Sequence, residues 1–357
     1  MNKPPTLADV ARRAGVHTAT ASRALNPATR ELLSAKTVRR VVSAAAALGY
    51  SPNAIARALR TARTRSVGVL IPDLTNPIFP PMVRGIEDAL RDDSHTALLA
   101  DTDNDFEKEA DAVAALQERH VDGLLVATAR RAHPLLEQLL TANVPIVGIS
   151  RTLETPAMAA VVADDTTGVT EAFAHLHELG HRHIGHLSGP RDMSTGSDRA
   201  RAFEYCARSA GIGDSCPIVD SEQYTRASGA SAMEQLMTHY PGVTAVVAGN
   251  DLIALGAIET LRSLGERCPG DVSVVGFNDM PYLDLMTPPL TTVRVSHYDL
   301  GFEAARMLVE MLRRPSASRR LVLPTQLVVR QSTAAPRAPA ARPGAARSRQ
   351  VPAARRK

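Results

Sequence analysis

The sequence predicts a small, all-helical head joined to a larger α/β body of two lobes. Three observations predict it. Apolar residues recur at helical spacing through residues 6 to 49, and from Val67 the texture changes to short apolar runs alternating with amphipathic helices. At 357 residues the chain exceeds one typical domain. Charge is also divided: residues 1 to 65 carry +10 and residues 334 to 357 carry +7, while the stretch between them carries −13 in a chain of net charge +4. A basic head on an acidic body suits a head that meets a polyanion and a body that does not.

In the head, Leu7, Val10, Ala11 and Ala14 follow the i, i+3, i+4, i+7 spacing of an amphipathic helix. Thr6 is its expected N-cap, with Asp9 in the capping-box position, and Gly15 turns the chain. A second helix from about His17 to Leu25 puts Ala21, Ala24 and Leu25 inward. Thr18 and Ser22 share an outer face, as do Ala19 and Arg23, and Asn26-Pro27 stops the helix. Ser34 caps a third helix with Val38, Val41, Val42, Ala45 and Leu48 inward and Gly49 at its close. Two helices joined by a tight glycine turn, the second polar outside, make a helix-turn-helix whose second helix fits the DNA major groove. Tyr50 to Leu59 reads as a further short helix that Asn53 caps, too short to persist alone in water. It is expected to form against DNA and a partner chain. The expected organisation is residues 1–60 as head with hinge helix, 61–66 as basic linker, 67–333 as body and 334–357 as a disordered basic tail.

The apolar runs of the body are Val67–Ile71, Thr96–Ala100, Gly123–Ala127, Pro145–Ile149, Ile184–Leu187, Ala245–Ala248 and Val272–Phe277. Such alternation with helices argues for parallel sheets covered by helices. The stretch is long for one sheet, so two α/β halves with a ligand cleft between them are expected. The tail is Ala, Pro and Arg without apolar periodicity, and it lacks the leucine heptads of a coiled coil.

Other function classes find little support. No apolar run approaches the ~20 residues of a membrane span, and the N-terminus lacks the apolar stretch of a signal peptide, so a cytoplasmic protein without membrane contact is expected. Cys206, Cys216 and Cys268 form no C-x-x-C pair and read as free thiols. His177-Glu178-Leu179-Gly180-His181 spells a zinc-protease H-E-x-x-H, but that chemistry needs both histidines on one continuous helix and Gly180 ends it. His181, His183 and His186 then read as surface and strand-edge histidines. Ser188-Gly189-Pro190 is no nucleophile elbow, and phosphate loops and dinucleotide fingerprints are absent from the sequence. Neither catalytic residues, nor a metal, nor a cofactor is expected.

An ordered set of motifs carries a resemblance. Thr6-Leu7-Ala8-Asp9-Val10-Ala11, Ala14-Gly15-Val16, Ser22-Arg23-Ala24-Leu25-Asn26 and Leu48-Gly49-Tyr50-Ser51-Pro52-Asn53 stand in the head. Val121-Asp122-Gly123, Leu179-Gly180-His181, Gly189-Pro190, Asn250-Asp251 and Pro288-Pro289-Leu290-Thr291-Thr292 stand in the body. From about residue 6 to 333 the chain resembles the LacI/GalR (lactose-repressor) family. The resemblance implies a homodimer that reads a pseudo-palindromic double-stranded operator, a hinge helix in the minor groove, and an effector domain like periplasmic sugar-binding proteins. It places Thr6, His17, Thr18, Ala19, Thr20, Ser22, Arg23, Asn26, Tyr50, Asn53, Ala56 and Leu59 on DNA. Arg23 suits guanine, and Leu59 matches a leucine that wedges between base pairs. His17 stands where the family usually has a serine cap, and Ala21 where a valine usually packs.

For a small-molecule effector the resemblance implies Ile78, Phe79, Ser150, Arg199, Asn250 and Asn278. Arg199 matches an arginine that grips hydroxyls or carboxylates with its fork. Ser150 and Asn278 stand where sugar-binding members commonly have Asp, which turns the expectation from a neutral sugar toward a sugar acid. Two other classes compete: a transporter's sugar-binding module, against which the DNA-reading head argues, and a chromosome-architectural protein, which a salt titration on specific and random duplex separates from a repressor.

Overall fold

A computed structural model describes residues 5–26, 29–50, 63–154, 158–314 and 319–337. The chain divides into two compact units, Met1–Ser66 with Ala115–Asp122, and Val67–Ala114 with Gly123–Lys357.

Among its described residues the smaller unit holds helices α1 (Leu7–Arg13), α2 (Thr18–Leu25) and α3 (Ala35–Leu48), with a 3₁₀ turn at Arg30–Leu32. Thr6 and Asp9 form the expected capping box, and Gly15 follows α1 with φ 60°. His17 does the work of the missing serine, because its Nδ1 accepts from Ala19 N at 3.3 Å. Val10, Ala11, Ala14, Ala21, Ala24, Val41, Ala44 and Ala45 form the core. Alanine dominates this list, so the helices meet through small side chains and little apolar area. Val42, expected inward, is exposed, and Ala44 takes the inward place. The end of the 61–66 linker is anchored: the Asp122 carboxylate accepts from Thr64 N and Arg65 N, both at 2.9 Å. The hinge segment with Asn53, Ala56 and Leu59 lies outside the described residues, as does the tail beyond residue 337.

The larger unit contains two six-stranded sheets. Its elements run β1 (Ser66–Ile71), α4 (Phe79–Asp92), β2 (Thr96–Asp101), α5 (Phe106–Glu118), β3 (Gly123–Val126), α6 (Pro134–Thr141), β4 (Ile146–Ile149) and β5 (Ala159–Ala163). They continue through α7 (Asp165–Glu178), β6 (Ile184–Ser188), α8 (Ser194–Ser209), β7 (Ile218–Asp220), α9 (Arg226–His239), β8 (Ala245–Ala248), α10 (Asp251–Ser263) and β9 (Ser273–Asn278). The last are β10 (Thr291–Arg294), α11 (His297–Arg313), β11 (Arg320–Leu323) and β12 (Gln326–Val328).

The first sheet has the order β11-β5-β4-β3-β1-β2 and the second β12-β10-β9-β8-β6-β7. The chain therefore crosses between lobes three times, after β5, after β10 and between β11 and β12. The pairings among β1, β3, β4, β5 and β11 are parallel, while β12 runs antiparallel to β10. Helices α4 and α11 meet through reciprocal glycines: a Cβ on Gly85 would stand 2.1 Å from Tyr298 O, and one on Gly301 2.1 Å from Met82 O. No side chain larger than hydrogen fits at either position.

Two expectations change here. Residues 334–337, assigned to a disordered tail, are part of the fold. Ala334 N donates to Ser273 Oγ at 3.0 Å, Ala334 O accepts from the His181 ring at 2.8 Å, and Arg337 pairs with Asp271 at 3.1 Å. His181 and His186, read as surface or strand-edge residues, are buried, and only His183 is exposed.

Candidate functional site

On the head, α2 presents Thr18, Ala19 and Arg23 fully to the outside, with Thr20, Ser22 and Asn26 partly covered. Thr6 and His17 are exposed as well, and Tyr50 packs partly against the core. The helix is anchored behind by Ala21 and Ala24, and Thr29 Oγ1 donates to Arg23 O at 3.1 Å, holding the last turn. Arg23 thus projects outward from a helix that is packed and bonded on its other side.

In the body the cleft residues stand just after the carboxyl ends of strands: Asn76 and Ile78 after β1, Ser150 after β4, Asn250 after β8 and Asn278 at the end of β9. That is where open α/β sheets hold ligands. All six residues singled out for an effector line one cavity of ≈ 420 Å³, open solvent included. Sequence reasoning missed Asn76, Met82, Ala127, Arg151, Thr195 and Tyr224, which complete the lining. Arg151 had a signal, since it directly follows Ser150; Tyr224 sits in an irregular stretch with none.

Several of these residues are held in place. Asn250 caps α10 through Oδ1, which accepts from Ile253 N at 2.8 Å, so its amide nitrogen is free for a ligand. Asp251 fixes the loop behind Asn278 by accepting from Met280 N at 2.9 Å and from Thr292 Oγ1 at 2.5 Å. Ser150 (φ 64°) and Asn278 (φ 121°) both take left-handed backbone, a strain that clusters at functional sites. Tyr224 donates to Thr195 Oγ1 at 2.9 Å and lies over Gly189, where a Cβ would stand 2.2 Å from its ring.

Arg199 differs from expectation. Its Nε and Nη2 bond Asp165 Oδ1 at 2.9 and 2.8 Å, its Nη1 donates to Gly249 O at 2.5 Å, and the guanidinium lies 3.6 Å over Phe277. The fork is occupied within the protein, so Arg199 is a wall with a neutralised charge. Burial raises the Asp165 carboxyl and the Arg199 charge pulls it back only in part. Among the described lining residues, the guanidinium without a carboxylate partner is Arg151. Its Nη1 is buried without a hydrogen bond, it faces the Tyr224 ring at 5.9 Å, and burial lowers its pKa.

The H-E-x-x-H stretch is not a metal site in this fold. Helix α7 ends at Glu178, Gly180 takes φ 103°, and both ring nitrogens of His181 are engaged, by Thr244 Oγ1 and Ala334 O at 2.8 Å each. No described helix is long and apolar enough to cross a membrane.

A helix-turn-helix unit ahead of a two-lobed body with a lined cleft defines a ligand-responsive DNA-binding regulator. Comparison with known proteins narrows the class. Residues 6–53 match the model for bacterial regulatory proteins of the lacI family, and residues 173–333 match that for a periplasmic binding protein-like domain. The ribose operon repressor of Halalkalibacterium halodurans is 32% identical over 329 residues, 92% of this chain and 97% of that one. A lac repressor dimer bound to operator and an anti-inducer superposes with a TM-score of 0.81 at 27% identity, covering 93% of this chain and 100% of that one. A complex of the regulator CelR with cellobiose gives 0.70 at 32% identity, with coverages of 92% and 99%. The chain belongs to the LacI family of transcriptional regulators; its relatives are regulators and not enzymes.

Proposed function

We propose that this regulator is a homodimeric repressor of a pseudo-palindromic operator, and that an acidic sugar in the cleft sets its affinity for DNA. Relatives associated with ribose and cellobiose make sugars the class to start from. The observation that carries the acidic assignment is the lining itself. It offers Arg151 without a carboxylate partner, a hydroxyl at Ser150 and an amide at Asn278, and it contains no carboxylate among its described residues. A carboxylate or phosphate on the ligand finds a cation there and meets no like charge.

Dimerisation is supported by the lac repressor dimer as a structural neighbour and by apolar side chains left outside: Leu99 on the edge strand β2, and Tyr282 and Leu285 on the loop after β9. In a dimer each head reads one half-site.

Calorimetry with hexuronates and the matching neutral sugars tests the acidic assignment. Asn278→Asp should weaken the acid, and tighter binding of the acid by that variant overturns the assignment. For DNA, selection of operator sequences followed by Arg23→Ala should show a loss of about 1–3 kcal/mol and relaxed specificity at one symmetric base pair. Equal losses on operator and random duplex reduce Arg23 to a phosphate contact.

A further inference from the structure

The cleft does not end at the cavity just described. A second space of ≈ 650 Å³, open solvent included, adjoins it and shares Asn76, Phe79, Arg151 and Tyr224 with it. The outer space is the larger of the two. The boundary is built from the Tyr224 ring, held by Thr195 and by the missing Cβ of Gly189, and from the Arg151 guanidinium beside it.

The two spaces differ in chemistry. The inner lining has no carboxylate among its described residues, whereas the outer one has Asp73, Asp192 and Glu222. Two of these are committed. Asp192 pairs with Arg130 at 2.8 Å, and Asp73 accepts from Thr75 N and Oγ1 at 2.8 and 2.6 Å. Glu222 and its neighbour Gln223 are exposed and make no side-chain hydrogen bond or ion pair with described residues. A free carboxylate and a free amide beside each other accept and donate to hydroxyls, and the carboxylate repels a second anion.

We infer that the outer space is a second subsite and that the effector is an acidic disaccharide: a hexuronic acid in the inner cavity, linked to a neutral, hydroxyl-rich sugar against Glu222 and Gln223. The inference rests on the acidic reading of the inner cavity for its first residue only. The charge difference fixes orientation, with the acid inward and the neutral sugar outward, and Tyr224 offers its face at the junction.

The test is calorimetry on the full chain with four probes: glucuronate, glucose, glucuronic acid β-linked to glucose, and cellobiose. The parent should bind the acidic disaccharide at least tenfold more tightly than glucuronate. Glu222→Ala/Gln223→Ala, two exposed positions, should erase that advantage and leave glucuronate binding and thermal melting unchanged. Equal affinities for the acidic pair, or an advantage that survives the double substitution, overturn the outer subsite. If only the neutral pair binds and cellobiose is the tighter, the acidic assignment falls and the outer subsite stands. Binding of none of the four refutes both.

Discussion

Replacing Arg199 with leucine should cost the body about 3–5 kcal/mol of stability, the range for breaking one side of a buried ion pair. Arg199 is 4% exposed, and it gives Asp165 two bonds to one carboxylate oxygen and Gly249 O a third. The variant leaves Asp165, which is 8% exposed, with its raising influence intact and its opposing charge gone, so the carboxyl protonates or the helix end opens. The double variant Arg199→Leu/Asp165→Leu removes both charges, and replacement of a buried pair by apolar groups is often near neutral. It should recover at least about 2 kcal/mol, a coupling that contacting groups commonly show. Urea unfolding followed by far-UV circular dichroism on the four members of this cycle measures it. A single-variant loss under about 1 kcal/mol, or strictly additive losses, would refute the claim that the fork is spent inside the protein. The same result bears on ligand response: Arg199 variants that lose it do so through the fold, and Arg151→Met is the better probe of the cleft.

Two further outcomes follow from the ordered C-terminus and the buried histidines. A chain ended after Thr333 should melt below one ended after Arg337, because it strips the partners of His181 and Ser273 and leaves buried polar groups at about 1–3 kcal/mol each; equal melting would place no weight on residues 334–337. Burial pushes His186 and His297 from 6.5 down to about 4, so each folded pKa is depressed, its stability contribution is complete above pH 6.5 and it is lost as pH falls toward 4. At pH 5 the two together should cost about 4 kcal/mol relative to pH 7.5, and urea midpoints that do not move over that range would contradict it.

What the sequence made legible was what repeats locally or stands in fixed order. All seven apolar runs are strands, since four to six consecutive apolar residues between helices have few other uses. The missed strands lack that signature. β5 is AAVVA, rich in a residue of low β propensity; β7 and β12 have three residues each; β10 and β11 carry threonine or arginine. In the head, Val42 lay one position off the buried stripe that Val41, Ala44 and Ala45 follow. The cleft was half legible, and that half came through the family resemblance, which pointed to six of the lining residues. The pairing of Arg199 with Asp165 was not legible: 34 residues separate them, and only the packing of α8 beside α7 brings the charges together. The same holds for Tyr224, whose place follows from the absence of a side chain at Gly189.

The lobes are also bonded to each other directly, apart from the three crossovers and any ligand. Arg131 N donates to Asp192 O at 2.7 Å, Arg130 pairs with Asp192, and Thr152 N donates to Ser194 Oγ at 3.0 Å. Each joins a loop after β3 or β4 to the loop that leads into α8 or to the first residue of that helix. Ser194 is 8% exposed and lies outside both linings, so Ser194→Ala removes one inter-lobe bond and no ligand contact. One such bond is worth about 0.5–1.5 kcal/mol, which shifts the ratio of closed to open lobes roughly two- to twelvefold. A ligand that needs the closed arrangement binds with apparent affinity scaled by the closed fraction, so its affinity should fall by up to that factor. Linkage then requires the ligand's effect on operator affinity to shift by matching amounts on both sides of the cycle. Calorimetry with and without operator measures both. Unchanged ligand affinity in Ser194→Ala, with a melting temperature that drops, would show that the bond only stabilises the fold and that closure is not limiting.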